Sequence, residues 1–470
     1  MPLDNERAHR LAHVSMARQD HIREQVQRWQ TVATTERYAD KIAALVRPVE
    51  DLGPGDRAMT HCLAIDGSLD EILLPDDSMV GFVVAAAALT DIAAFNGSRR
   101  GRLVDTRALA AATTRFSVET VVPSAFKAAS GLSGIDSWRV AVDDMLALPV
   151  HDHATASFTL GSALRLLYGS TTAAVPLRGC ADCGYQPAID PAAAFAANGP
   201  LTTGSTLWVT DPATTGPSTC PACGVLLRLG DALHTHPEFN EEGENGKAMS
   251  RLMLIAERLM MVGHIEATMA LDPTLLRDLL CVTDGPLAIF GSRSGSLAPK
   301  FGAYLSWVNA RLSAQGLPPL QYVGIEKHGA FAEHAHLIRD HIAPGHLMLP
   351  DGPYIQRHIV KRVDDHNIYG AHEFYGRRFF YRTRAGDMLV LTVPPVPGVA
   401  AYSREEASHQ WESYPTVASI ARHLDSMRSR LYENAVLPLM TAHASASLPQ
   451  GTGRSVLTAL AHGARRDPGV

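Results

Sequence analysis

The sequence predicts a mixed α/β fold, because apolar strand-like segments alternate with segments of helical periodicity. The first strands begin at Met59, where AMTHCLAIDGS is followed by the apolar stretch MVGFVVAAAALTDIAAF. A long apolar helix from about Ala248 to Ala270 precedes a buried strand, DLLCVTDGPLAIFG. The length of 470 residues, with 46% hydrophobic and 19% charged residues, allows a large core.

The remaining elements follow from local patterns. Residues 6–50 mix Arg, Gln and Glu with spaced apolar residues and Trp29, which predicts a helical arm over residues 1–52 that ends before Pro54. Residues 53–470 are expected to form the main domain. In its second half, the patterns predict an amphipathic helix from Tyr304 to Leu312, strands in LQYVGIEK and from Phe374 to Val393, and helices towards the C-terminus.

The composition limits the classes of function. The net charge of −6 argues against a protein that coats DNA by charge alone, since phosphate neutralisation needs clustered Lys and Arg. It does not exclude a nuclease, because acidic metal ligands add negative charge and a local basic channel can grip DNA. The polar start MPLDNERAHRLAHVSMARQDHIREQ contains no signal-peptide core, and no apolar run of about 18 residues occurs. We therefore expect a cytoplasmic protein without a membrane segment.

Two segments share one form, in which an apolar strand ends in Asp-Gly. They are LAIDGS, with Asp66, and CVTDGPL, with Asp284. Each Asp-Gly pair on its own is compatible with a simple turn. If the two strands are neighbours in one sheet, however, they deliver two carboxylates to the same edge, about 5 Å apart. That separation suits a shared Mg²⁺ or Mn²⁺ ion, whose bonds to oxygen are roughly 2 Å long.

A third carboxylate, Glu257, lies on the long helix. Its neighbours at helical spacing are apolar, namely Met253, Leu254, Met260 and Met261. A buried carboxylate needs a partner, because burying an unpaired charge is costly. Either a salt bridge or a metal ion shared with Asp66 and Asp284 would supply one.

Other charged residues of the same helix need separate assignments. Glu266 lies on the line of Ile255, Leu259 and Val262 and is the competing candidate for the third carboxylate. Arg251 and Arg258 are seven positions apart and are expected on a different, solvated face.

Four of the six cysteines fall in two CxxC pairs, each followed by Gly. In a reducing compartment this pattern indicates metal binding rather than disulfides. The four thiolates suit a closed tetrahedral Zn²⁺ site with a structural role in an insertion over residues 176–228, and they are Cys180, Cys183, Cys220 and Cys223. The other two, Cys62 and Cys281, are expected to be buried thiols.

Taken together, these segments resemble the NurA nucleases, which work with the hexameric ATPase HerA. The likeness covers roughly residues 60–448 and is specific through the order and spacing of six strings: AIDGS, DALHTHPEFNEEGENGKAMSRLMLIAERL, VTDGPLAIFG, YVGIEKHGAFAEHA, YGRRFFYRT and VLPLMTAHASASL. The resemblance implies a ribonuclease H-like core, a mixed sheet flanked by helices. The zinc ribbon is an addition that the shorter members of the family lack.

The resemblance also implies a site and an activity. The family's metal site matches Asp66, Glu257, Asp284 and His443, although His443 alone would pass for a helix-surface residue. Lys327, in the strand GIEK, is a further match that would bind the scissile phosphate or stabilise charge on it, with a surface lysine as the alternative.

The implied reaction is hydrolysis of DNA phosphodiesters with Mn²⁺ or Mg²⁺, by exonuclease or single-strand endonuclease action. The implied partners are DNA, a HerA-like ATPase and a second copy of the chain, in double-strand-break repair by end resection or in anti-phage defence.

Two functions of other classes remain open at this point. The first is a non-catalytic zinc-ribbon adaptor that binds DNA or the ATPase, in which the carboxylates form only turns and salt bridges. The second is a zinc hydrolase that uses the pair His234 and His236 or the pair His334 and His336, although neither pair has a third ligand at clear spacing. ATP binding is not expected, because the string GENGKA lacks two defining residues of a phosphate loop.

Overall fold

The computed structural model describes residues 18–28, 39–53, 59–97, 99–100, 103–150, 158–186, 207–211, 216–291, 297–361, 368–428, 436–448 and 452–461. The chain divides into two compact units, residues 1–44 and residues 45–470. The expected helical arm extends to residue 52, but its last residues belong to the second unit, where they form a strand and a 3₁₀ turn. Of the arm, residues 1–17 and 29–38 lie outside the described residues.

The described ranges contain thirteen strands, of which nine form one large sheet. The strands are β1 Val46–Pro48, β2 His61–Leu73, β3 Met79–Asp91, β4 Arg99–Arg100, β5 Leu103–Val104, β6 Thr113–Pro123, β7 Val175–Leu177, β8 Leu207–Val209, β9 Leu279–Asp284, β10 Gln321–Glu326, β11 His346–Met348, β12 Arg377–Arg382 and β13 Met388–Val393. The large sheet has the order β1-β11-β12-β13-β10-β9-β2-β3-β6, and β4-β5 and β7-β8 form two small sheets.

Helices connect and cover these strands. The α-helices are α1 Asp20–Arg28, α2 Ala39–Leu45, α3 Ile92–Gly97, α4 Thr106–Ala111, α5 Gly134–Ala147, α6 Leu160–Leu166, α7 Gly246–Leu271, α8 Leu297–Ala314, α9 Ala330–Ile338, α10 Gly352–Tyr354, α11 Val417–Ser426, α12 Leu437–Ala446 and α13 Thr452–Ala461. A π-helical turn, Ile355–Val360, follows α10. The 3₁₀ helices are Val49–Leu52, Leu229–Leu233, His236–Glu238, Pro273–Asp278, Arg339–His341, Glu406–His409 and Trp411–Ser413.

The centre of the sheet combines antiparallel and parallel pairing. β2, β3 and β6 are successive antiparallel neighbours, whereas β9 runs parallel to β2 and β10 runs parallel to β9. α8 lies between β9 and β10 in the chain, as a parallel pair requires a crossover connection. The mixed α/β class is therefore confirmed, with nine of the described strands in one mixed sheet.

The sheet is covered on both faces, because side chains alternate along each strand. On β2, Leu63 and Ile65 face a core built with α5, α6, α7 and α8. Cys62 and Ala64 face the opposite core, which includes residues of α11 and α12. Cys62 and Cys281 are buried as expected. Among the helices of the described ranges, none combines the length and the apolar character that a bilayer-spanning segment requires.

Candidate active site

Asp66 lies in the middle of β2 and not at a turn. The strand continues past the Asp-Gly pair to Leu73, and Gly67 remains paired with Ala85 of β3. The expectation that this strand ends in Asp-Gly is therefore wrong, and so is the simple turn as its explanation. What ends here is the pairing with β9 on the other side of β2, because β9 itself stops at Asp284.

Asp66 and Asp284 lie side by side, one residue beyond the last parallel pair of β2 and β9. Each follows the alternation of its strand, because Ala64 and Val282, two residues earlier, pack in the core on the α12 side. The two carboxylates therefore share one face and one edge. Unlike Asp66, Asp284 does precede a turn, in which Gly285 has a positive φ of 72°.

His443 contacts Asp66 across the interface between α12 and β2. Its Nδ1 lies 2.8 Å from Oδ2 of Asp66, while Oδ1 accepts a hydrogen bond of 2.8 Å from the backbone N–H of Gly67. The hydroxyl of Ser68 donates to the carbonyl of Ala446 and ties α12 to the same strand. The side chain of His443 is 63% exposed, and that of Asp66 is 5% exposed. A buried carboxylate thus orients an exposed imidazole.

Lys327 follows β10 directly and forms an ion pair with Asp284. Its Nζ lies 3.0 Å from Oδ1 of Asp284, and its side chain is 24% exposed. The parallel register places Ile325 of β10 opposite Asp284, which brings the end of β10 to this position. Lys327 is therefore not a solvated surface lysine, and it is a cation directly beside the two aspartates.

Glu257 approaches the aspartates from α7, on the opposite face of the sheet. A Cβ atom at position 67 would lie 2.5 Å from Oε1 of Glu257 and 2.6 Å from Cγ of Met253. Both distances are too short for a side chain, so the glycine of the AIDGS string leaves the space that the glutamate occupies. The buried Glu257 carboxylate consequently lies directly beside the backbone that follows Asp66.

Burial and the neighbouring charges raise the pKa of Glu257 and of Asp66. Burial raises the pKa of Glu257 to about 8; Arg258 and Lys327 oppose this shift, and the charges of Asp66 and Asp284 add to it. Burial also raises the pKa of Asp66, and the charge of Asp284 contributes in the same direction against Lys327 and His443. Acidic groups that hinder each other's ionisation in this way are typical of cation-binding and catalytic sites.

Arg258 does not lie on a solvated face, so that expectation is wrong. It is 1% exposed, and its Nη1 lies 3.3 Å from Oε2 of Glu257. The sequence contained a signal for this burial, because its neighbours at helical spacing are all apolar, namely Leu254, Ile255, Met261 and Val262. Arg251, seven positions earlier, pairs instead with Glu238 at 2.6 Å.

Glu326, the residue before Lys327 in the chain, forms a buried ion pair with Arg378 of β12. Nη2 of Arg378 donates to Oε2 of Glu326 at 3.0 Å, and its Nε donates to Oε1. The guanidinium also lies over the ring of Phe331, 3.9 Å from its centroid. The pair anchors the end of β10, and Glu326 is therefore neutralised and does not join the three site carboxylates.

The competing candidates lie elsewhere. Glu266 accepts a hydrogen bond of 2.8 Å from the hydroxyl of Tyr304. The rings of His234 and His236 lie against each other, with centroids 5.8 Å apart. Within the described residues, neither histidine belongs to a group of three or more possible metal ligands, and the same holds for His334. The zinc-hydrolase alternative thus gains no third ligand from the fold.

The donor set fits a hard divalent cation. Carboxylate oxygens with one imidazole are ligands that suit Mn²⁺ or Mg²⁺, and a bound cation would offset the charges of Asp66 and Asp284 that add to the raised pKa of Glu257. The carboxylates and the imidazole do not, however, converge on one point in this structure. Over the described part of the chain, the cysteine sulfurs alone form a group of three or more donors that all lie within 4.8 Å of one another. The carboxylates are instead joined pairwise to His443, Lys327 and Arg258.

The four cysteines of the ribbon meet in one cluster. The Sγ atoms of Cys180 and Cys223 are 3.7 Å apart, and those of Cys183 and Cys220 are 3.8 Å apart. A tetrahedron of sulfur atoms at about 2.3 Å from zinc has edges of about 3.8 Å. The cluster is therefore compatible with a structural zinc ion.

Two tight turns shape this cluster. Gly184 and Gly224 follow the two CxxC pairs with positive φ angles of 69° and 75°. Their N–H groups donate to the carbonyls of Cys180 and Cys220 at 3.1 and 2.8 Å. The small antiparallel pair of β7 and β8 and a few apolar side chains complete the ribbon core.

The fold has a similar chain among the solved structures. No family model matches the chain, and no curated protein is significantly similar to it. The chain is similar to the crystal structure of the NurA nuclease from Sulfolobus solfataricus, with 11% sequence identity, 97% of each chain covered and a TM-score of 0.34. That protein belongs to the family that the six strings resemble. At so low a TM-score, the match assigns no role to individual residues of this chain.

Proposed function

We propose that this protein is a DNA nuclease that hydrolyses phosphodiester bonds with Mn²⁺ or Mg²⁺. The observation that carries the proposal is the meeting of Asp66, Glu257 and Asp284 at the point where β2 and β9 separate, with Lys327 and His443 in direct contact with the aspartates. The resemblance of the sequence strings to the NurA nucleases supplies the substrate class.

Asp66, Glu257 and Asp284 would hold the divalent cation, with His443 as the fourth ligand. When bound, that cation would supply Lewis-acid stabilisation of the charge that develops on the phosphate. With Asp66 ionised, the Nδ1–H of His443 donates to Oδ2, so Nε2 is the ring atom that remains for metal or phosphate. This is the usual way in which a carboxylate fixes the tautomer of a ligating histidine.

Lys327 would neutralise charge on the scissile phosphate. Its ammonium lies against Asp284 and is partly exposed to solvent. A phosphate oxygen can therefore approach the ammonium from solvent without a rearrangement of the buried residues. In the overall reaction, a water oxygen bonds to phosphorus, the ester P–O bond breaks, and the leaving oxygen takes up a proton.

Cleavage of linear DNA with Mn²⁺ tests the proposal. We expect Asp66→Asn and Asp284→Asn each to lower the rate at least about 100-fold, because the loss of even an outer-shell partner costs about 10–100-fold. Asp70→Asn is the matched control, since Asp70 lies on the same face of β2 four residues further on. The proposal fails if the wild type does not cleave DNA with Mn²⁺, alone or with a HerA-type ATPase, or if both aspartate variants keep wild-type rates.

We also propose a homodimer that docks on a HerA-like hexameric ATPase, in DNA end resection for repair or in anti-phage defence. The support for these partners is the resemblance of the sequence strings alone. Light scattering of the purified chain measures the dimer, and co-purification with the ATPase measures docking. A strictly monomeric chain that does not bind the ATPase would contradict this part of the proposal and leave the nuclease chemistry in place.

A further inference from the structure

Arg258 is a fully buried cation at the centre of the proposed site. Its Nη1 contacts the hydroxyl of Thr283 and lies 3.3 Å from Oε2 of Glu257. Its Nη2 donates to the backbone carbonyls of Asp284 and Pro286, both at 3.0 Å. One guanidinium thus connects the α7 carboxylate with the strand end and the turn that carry Asp284.

Contacts with β10 also restrict the turn after Asp284. The N–H of Gly285 donates to the carbonyl of Ile325 on β10 at 2.9 Å. A Cβ atom at Gly324 would collide with the carbonyl oxygen of Gly285, so the turn lies directly on the backbone of β10. β10 holds the turn from one side, and Arg258 holds it from the α7 side.

The charges around Arg258 distinguish it from Lys327. The site contains the carboxylates of Asp66, Glu257 and Asp284; within the described residues, Lys327 pairs with Asp284 and Arg258 pairs with Glu257. Lys327 is partly exposed and can turn towards a ligand, whereas the buried guanidinium of Arg258 has no access to solvent. A planar guanidinium can also bind several acceptors in a fixed arrangement, which an ammonium cannot do.

We propose that Arg258 is a positioning residue for divalent-cation binding: it fixes the Glu257 carboxylate and the Asp284 turn relative to each other. This inference rests on the proposed function. Arg258 itself touches neither the metal nor the DNA in this role. Its removal is expected to separate the carboxylates from α7 and β9 and thereby to weaken the affinity for the metal ion.

The test measures Mn²⁺ affinity directly, by electron paramagnetic resonance of free Mn²⁺ titrated into the full-length protein. We expect Arg258→Gln to weaken Mn²⁺ binding about 10–100-fold, the range found for outer-shell partners. Arg258→Lys keeps the charge but cannot span all the acceptors, so we expect an intermediate affinity. Thr283→Val removes one acceptor at nearly constant volume and should weaken binding about 2–10-fold.

Arg251→Gln is the matched control. Arg251 lies on the same helix, its side chain is 12% exposed, and it pairs with Glu238 rather than with a carboxylate of the proposed site. We expect this variant to melt at a lower temperature with unchanged Mn²⁺ affinity. A general loss of stability would lower the melting temperature of every variant. A positioning role of Arg258 would in addition lower the Mn²⁺ affinity, and only in the Arg258 and Thr283 variants.

Three outcomes decide the matter. A folded Arg258→Gln protein with wild-type Mn²⁺ affinity overturns the inference. If neither Arg258 variant folds, Thr283→Val decides, and unchanged affinity in that variant overturns it as well. A wild-type protein that binds no Mn²⁺ overturns the proposed function and this inference with it, so the two failures are distinguishable.

Discussion

At the scale of single residues, the site is a small group of charges that depend on one another. Asp66 is bonded to His443, Asp284 to Lys327, and Glu257 has Arg258 beside it. Each pairing reduces the cost of holding several carboxylates close together in a largely buried place. The pKa of Glu257 is raised to about 8, because its carboxylate is buried and lies near the charges of Asp66 and Asp284.

The first prediction concerns the pH dependence of stability. The pKa of Glu257 is raised by burial to about 8 in the folded protein, whereas an unfolded chain has a Glu pKa of about 4.3. Between these values the folded state holds a proton that the unfolded state has released, so the free energy of unfolding falls as the pH rises through this window. Glu257→Gln cannot ionise and should lack this fall.

Melting temperatures of the metal-free proteins check this, measured from about pH 5.5 to about pH 8.5. The wild type should lose more stability over the range than Glu257→Gln, and the variant should be the more stable of the two at the alkaline end. Comparing the two proteins removes the contribution of the titrating groups that are not coupled to Glu257. Equal slopes would show that Glu257 is ionised in the folded protein throughout the range.

At the scale of elements, the site depends on where a helix approaches a strand. α7 packs across β2, and at Gly67 the side chains of Glu257 and Met253 occupy the space that a side chain of the strand would need. The zinc ribbon is a separate local structure, with its own small apolar core beside the four cysteines.

Gly67→Ala tests the contact between α7 and β2. The added methyl group would meet Oε1 of Glu257 and Cγ of Met253 at 2.5 and 2.6 Å, so we expect a loss of about 1–3 kcal/mol of stability. DNA cleavage should fall as well, because the carboxylate must move away from Asp66. Gly246→Ala, at the start of α7 with nothing within 4 Å of the added atom, is the control and should leave both unchanged or slightly raise stability.

Cys183→Ser tests the ribbon. Loss of one thiolate should reduce the zinc content, measured by mass spectrometry of the metal, from about one ion per chain to nearly none, and lower the melting temperature. Cleavage by the folded fraction should continue, since the carboxylate site shares no residue with the ribbon. Cys62→Ala, which removes a buried thiol outside the ribbon, should keep its zinc. Full zinc content in Cys183→Ser would contradict a four-cysteine site.

At the scale of the whole molecule, the chain consists of a small N-terminal unit and a large unit that contains both proposed metal sites. The boundary after Ala44 matters for any truncation. β1 pairs with β11 through Val46 opposite Met348, and Val49 is buried in the core of the large unit.

Two truncations should therefore behave differently. Removal of residues 1–44 should leave Mn²⁺-dependent cleavage intact, because β1 and the buried Val49 stay with the large unit. Removal of residues 1–52 also deletes β1 and Val49, and loss of one buried aliphatic side chain alone costs about 1.5–3 kcal/mol. An inactive or unfolded protein without residues 1–44 would show that the large unit depends on the small one.

The sequence by itself determined the features that are encoded locally. Strand and helix periodicity predicted the α/β class and the positions of β2, β3, α7 and β9, because each pattern lies within one segment. The spacing of the CxxC pairs identified the residues of the ribbon cluster for the same reason. The resemblance to the NurA nucleases supplied His443 and Lys327, which no local pattern would have selected.

Only the tertiary structure decided how these segments meet. It placed Asp66 within a strand, Arg258 in the interior and the imidazole of His443 against a carboxylate 377 positions away in the sequence. These facts depend on the pairing of β2 with β9 and on the packing of α7 and α12 on opposite faces of the sheet. Such contacts are fixed by the packing of the whole core, so no short stretch of sequence contains them.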